Sequence, residues 1–156
     1  MSRTSALDTL IELTREAVDN AGRNLAGARR NQQQAQAQLD TLLHYRQEYA
    51  RGLQQAMLEG MQPASLLNYQ AFLRSLDEAV ERARQSLGEQ ARQVGQHQQQ
   101  WLEQQRKLNS FHTLTERRAQ AAQLHDSRSQ QRLTDELSAQ LRLRGNAFTS
   151  SSGHSL

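Results

Sequence analysis

Acid–base or metal chemistry in this chain would have to start from its five histidines, His44, His97, His112, His125 and His154. Imidazole titrates near neutral pH and ligates transition metals, so each qualifies by type. Their spacing argues against all of them. No two stand in an HExxH arrangement, none carries a paired Asp or Glu, and His97 reads as a tolerated polar position rather than a ligand. The sequence has no Cys, which excludes disulfides, thiolate nucleophiles and Cys-ligated metals and fits a reducing compartment. No GxxxxGK[ST] phosphate loop, GxGxxG turn or GxSxG elbow occurs either. An enzyme is therefore not expected, and no cofactor or metal is implied.

Binding chemistry is better represented. Tyr45, Tyr49, Tyr69 and Phe72 all lie close to one short segment, in a chain only 4% aromatic. Aromatic side chains concentrate contact energy in protein interfaces. Of the 19 basic residues only Lys107 is a lysine, and guanidinium groups pair and stack well at interfaces. The 16 acidic residues are spread among the arginines, so the net charge of +3 forms no stripe of the kind a nucleic-acid binder gathers.

The elements that must carry these residues follow from composition. Across 156 residues only 36% are hydrophobic and mean hydropathy is −0.86, values an unfolded chain could share. One Pro and an abundance of Ala, Leu, Gln, Glu and Arg point to helix instead. Strands lack both their β-branched residues and their turns. No apolar run is long enough to cross a bilayer, and no basic-then-apolar leader opens the chain, so a soluble cytoplasmic protein is expected.

Gly60 and Pro63, within Glu59-Gly60-Met61-Gln62-Pro63, mark the one place before the tail where helix breakers fall together. They predict helix 1 over about 5–59, a turn over 60–63 and helix 2 over about 64–144, with residues 145–156 a disordered tail. Ser5-x-x-Asp8 resembles a capping box at the start of helix 1. Alternating three- and four-residue steps pick out Leu7, Ile11, Thr14, Val18, Ala21, Leu25, Ala28, Gln32, Ala35, Leu39, Leu42, Arg46, Tyr49 and Leu53 in helix 1. In helix 2 they pick out Tyr69, Leu73, Leu76, Val80, Ala83, Leu87, Gln90, Val94, His97, Trp101, Gln104, Leu108, Phe111 and Thr115. Sustained heptads require a partner along the seam, and the nearest is the other half of the chain. In an antiparallel pair Leu53 faces Tyr69, Tyr49 faces Leu73, Leu42 faces Val80, Gln32 faces Gln90, Ala21 faces Trp101 and Ile11 faces Phe111. Every such pair is centred on Met61, inside the turn. The fold class expected is all-α: an antiparallel two-helix coiled-coil hairpin whose longer second helix overhangs.

At ~1.5 Å per residue the helices would run about 80 and 120 Å, so residues beyond Ala119 have no partner in the chain. This overhang still holds Leu124, Leu133, Leu137, Leu141 and Leu143 among Arg128, Arg132, Arg142 and Arg144, and it is a candidate docking element that orders on a partner. Near the turn, Gln38, Tyr45, Phe72 and Ala79 fall at heptad g positions, on one flank beside Leu42, Tyr49 and Leu76. Two readings of this apolar flank stay open, a protein-binding hot spot and a buttress of the seam.

These residues also carry a resemblance. Leu42-Leu43-His44-Tyr45-Arg46-Gln47-Glu48-Tyr49, the turn, Asn68-Tyr69-Gln70-Ala71-Phe72, Leu76, the Trp101-Leu102-Glu103 region with Leu108 and Leu114, and the stretch from Arg117 to about residue 144 resemble the FliJ family of flagellar type III export proteins. The resemblance implies a cytoplasmic stalk, peripherally associated with the inner membrane at the flagellar base and similar to the central stalk of rotary ATP synthases. Its helix ends would enter the ring of the export ATPase FliI, through Leu124, Arg128, Arg132 and Leu137 here. A patch matching Gln38, Leu42, Tyr45, Tyr49, Phe72, Leu76 and Ala79 would contact the cytoplasmic domain of the export gate FlhA. At the next turn of that patch the family has His, whereas this chain has Ala83. Escort of flagellar substrate chaperones is also implied. The alternatives are the equivalent stalk of a virulence-type secretion system and an Arg-rich coiled coil that binds nucleic acid or acts as a scaffold.

Overall fold

The computed structural model describes residues 2–151, with side chains described from Ala6 to Ser150. Two helices account for nearly all of it, α1 over Ser2–Glu59 and α2 over Pro63–Ser151, and no strand occurs among the described residues. The break lies where the breakers predict it. Gly60 takes φ of 93°, a conformation that a side chain makes costly, and so ends α1. Its N–H donates to the carbonyl of Met57 at 3.3 Å. Pro63 opens α2, where its missing N–H removes no helical hydrogen bond.

The helix ends depart from expectation in two places. Helix α1 begins at Ser2, so Ser5 lies inside it and does not cap it. Helix α2 does not stop at residue 144 but runs through Gly145 to Ser151. An interior glycine costs a helix only about 1 kcal/mol, no proline follows, and the hydroxyls of Thr149 and Ser150 donate back to the carbonyls of Gly145 and Ala147, at 3.2 and 3.0 Å. The rest of the expected tail, with His154, lies outside the described residues.

The chain forms two compact units, Met1–Leu108 and Asn109–Leu156, where a single hairpin reaching residue 144 was expected. In the first, α1 and the opening part of α2 pack antiparallel along the heptad seam. Leu7, Ile11, Leu25, Ala28, Ala35, Leu39, Leu76 and Val80 are its buried apolar residues, with Thr14 the buried polar one, its hydroxyl donating to the Leu10 carbonyl at 2.7 Å. Every seam position of this unit is buried or half-buried except Arg46 and Tyr49. Cross-helix contacts place the register where the Met61 centre puts it: Arg46 meets Asp77, Tyr49 meets Tyr69 and Phe72, and a Cβ built on Gly22 would lie 3.6 Å from the Trp101 ring. Two helices enclose no deep interior, and none of the large side chains described is completely shielded from water. Stability therefore accumulates layer by layer, each well-buried Leu or Val contributing roughly 1.5–3 kcal/mol.

The second unit is a single stretch of α2. Phe111 and His112 are half-buried, and residues 113–150 are all exposed, Thr115 included. No helix among the described residues is long and apolar enough to cross a membrane.

Candidate partner-binding surface

The turn end of the hairpin carries two flanks of opposite character. On one, the heptad places Gln38, Tyr45, Phe72 and Ala79 at g positions beside Leu42, Tyr49 and Leu76. The Tyr49 ring joins the helices there. Its centroid lies 4.2 Å from that of Phe72, the planes 33° apart, and 5.4 Å from that of Tyr69, at 51°. Tilted rings this close attract one another beyond the area they bury. Leu76 beneath is only 9% exposed, whereas Phe72 keeps 44% of its surface in water and Tyr45 keeps 54%. Along α1 the same side continues as a shallow open hollow of ≈ 410 Å³ lined by Ala37, Gln38, Thr41 and Leu42. The flank is thus half seam and half free surface: Tyr49 and Leu76 hold the helices together, and Tyr45 and Phe72 present rings to solvent.

On the other flank the same layers are charged. The Arg46 guanidinium donates to the Asp77 carboxylate across the helix pair, and that hydrogen bond first, and the charge of Asp77 second, hold the guanidinium above its ordinary pKa. Leu43, Glu81 and Arg84 line the adjoining groove. Sequence reasoning missed this pair because it assigned Arg46 to the seam. The signal was present: Arg46 and Asp77 fall almost symmetrically about Met61, with opposite charges.

The four described histidines form no centre. No group of three or more metal-ligating side chains occurs among the described residues. His44 does have an acidic neighbour, contrary to the sequence reading, since its Nε2 lies 3.1 Å from Oε1 of Glu48 one turn away. Both side chains are well exposed, so the contact is a surface pair that exists as an ion pair only when the imidazole is protonated. His97 is half-buried at its seam position and His125 is exposed.

The four residues expected at the overhanging end, Leu124, Arg128, Arg132 and Leu137, are all exposed on one helix, but they do not share a face. At ~100° per residue Leu124, Arg128 and Arg132 follow one slowly drifting ridge, and Leu137 points about 140° away from Leu124. Leu137 instead continues the ridge of Leu133 and Leu141, one turn before and after it, both also exposed. The end therefore has an arginine-bearing ridge and a separate leucine ridge.

The sequence that builds the hairpin and the exposed helical stretch also matches known proteins. Residues 3–147 match the family profile described as Flagellar FliJ protein. The chain belongs to the FliJ family. The flagellar FliJ proteins of Salmonella typhi and Escherichia coli (strain K12) are each 34% identical to it over 144 residues, covering 92% of this chain and 98% of theirs. The FliJ match reaches past residue 144, to residue 147. It includes both flanks of the turn end and both ridges of the second unit, so the chain is a flagellar protein over nearly its whole length.

Proposed function

We propose that this FliJ-family chain is a non-catalytic stalk of the flagellar type III export apparatus, coupling the export ATPase to the export gate. The observation that carries the reading is that two places group exposed apolar side chains on one face, Tyr45 and Phe72 on the flank of the hairpin and Leu133, Leu137 and Leu141 on the ridge of the second unit. Each is a surface that water does not favour and that a partner would cover. The flank of Gln38, Leu42, Tyr45, Tyr49, Phe72, Leu76 and Ala79 engages the cytoplasmic domain of FlhA. The second unit, with Leu124, Arg128, Arg132 and Leu137, engages the FliI ring. Binding that favours one conformation of the ring promotes its assembly and turnover through differential affinity. Escort of substrate chaperones, and residence in the cytoplasm at the inner membrane of the flagellar base, belong to the same reading.

Truncation after Arg118 tests the ATPase arm. Stimulation of FliI hydrolysis is expected to fall to the unstimulated rate, and undiminished stimulation would remove the second unit from that role. A nucleic-acid role separates from this one by salt, since counterion release makes such affinity fall steeply between low and moderate ionic strength. The flagellar relatives favour the flagellar over the virulence-type apparatus.

A further inference from the structure

The middle of the hairpin is built differently from its turn end. From Leu39 to Leu53 and from Tyr69 to Val80 the seam is mostly large and apolar. Across residues 22–32 and 88–97 it becomes Leu25, Ala28 and Gln32 against Gln90, Val94 and His97. Small and amide side chains supply less apolar area to each layer, so the helices are held more weakly there. Four of the five helix-interior glycines of this unit, Gly22, Gly27, Gly88 and Gly95, also lie in these two stretches, and Gly27 and Gly95 stand at the same level of the hairpin in the Met61-centred register.

Close packing does not call for these glycines. A Cβ on Gly88 or Gly95 would meet nothing within 4 Å. On Gly27 it would meet only the mobile end of Arg30 at 3.7 Å, and on Gly22 the Trp101 ring at 3.6 Å, an ordinary contact. Each glycine nevertheless weakens the helix by about a fivefold factor relative to alanine. Two further features favour local opening. A polar groove of ≈ 390 Å³, lined by Asn24, Ala28, Asn31, Gln90 and His97 among others, already lies between the helices. Within it the His97 Nδ1 is shielded from solvent and has no hydrogen-bond partner, a deficit that parting of the helices would relieve by admitting water.

We propose that residues 22–32 and 88–97 form a compliant joint, at which the helices part and reclose while the seam toward the turn stays zipped. The joint lets the hairpin flex at mid-length without losing its register, because the large apolar layers nearer the turn re-align it. It does not depend on which partners the chain has.

Hydrogen exchange on the full-length protein tests the joint. Amide protection factors in 22–32 and 88–97 are expected to be at least about tenfold below those in 36–45 and 73–83. Gly27→Ala with Gly95→Ala is expected to raise protection in both stretches by at least about fivefold, one glycine's worth. Gly52→Ala, which also meets no neighbouring atom but lies outside the joint, is the control and is expected to leave both stretches unchanged. Equal protection along the hairpin would overturn the proposal. So would a Gly52→Ala effect in the middle as large as that of the paired substitution.

Discussion

Leu39 and Leu137 are the same residue in the same kind of helix, yet Leu39 is 7% exposed and Leu137 is 60% exposed. In the first unit each leucine of the seam meets an opposing helix, and its burial holds the unit together. In the second, leucines recur at helical spacing with nothing among that unit's described residues to cover them. Apolar spacing thus states only that a face needs a partner; whether the chain itself supplies that partner is a separate question. The flank at the turn lies between these cases, with Leu76 closed into the seam and Phe72 and Tyr45 left open.

The largest effect expected from this contrast is Leu39→Ala. Loss of a buried leucine typically costs 2–5 kcal/mol, and the thin two-helix seam places this site near ~2–3 kcal/mol, read as a lowered midpoint in urea unfolding. A midpoint within error of wild type would show that the seam is not where stability resides. Phe72→Ala comes next and separates binding from buttressing. Helicity and unfolding midpoint should change little, since nearly half of the ring is already in water, and affinity for the FlhA cytoplasmic domain should fall at least about tenfold, as removal of an aromatic hot spot does. The reverse pattern, intact binding with a large stability loss, would make Phe72 part of the core. The smallest effect belongs to the charged flank. Arg46→Gln removes a solvent-exposed pair, and such pairs contribute little, so thermal melting should be unchanged in moderate salt. A clear drop in melting temperature would mark the Arg46–Asp77 contact as a register lock.

The family resemblance was legible in the same short segments that built the aromatic flank, and nearly the whole chain matches. Less of the site's geometry was legible. Tyr49 and Arg46 were both assigned to the seam, and both are exposed by more than their spacing implies. The heptad places a Cα on the seam, but a long side chain chooses its direction from what lies opposite: the Arg46 guanidinium reaches Asp77 at the surface, and the Tyr49 ring lies against Phe72 and Tyr69. That Leu124, Arg128, Arg132 and Leu137 divide between two ridges follows from a related fact, since proximity in sequence is not proximity around a helix.

By itself the sequence determined that the chain is helical, that it turns at Gly60 to Pro63, and in what register its halves meet. Those properties depend on backbone permissiveness and on a repeat that any partner helix must respect. Tertiary structure alone decided which flank shows rings and which shows charge, how far each seam side chain is closed from water, and that α2 continues through Gly145. Each of these turns on small free-energy differences between neighbouring groups, which appear only once the helices stand side by side.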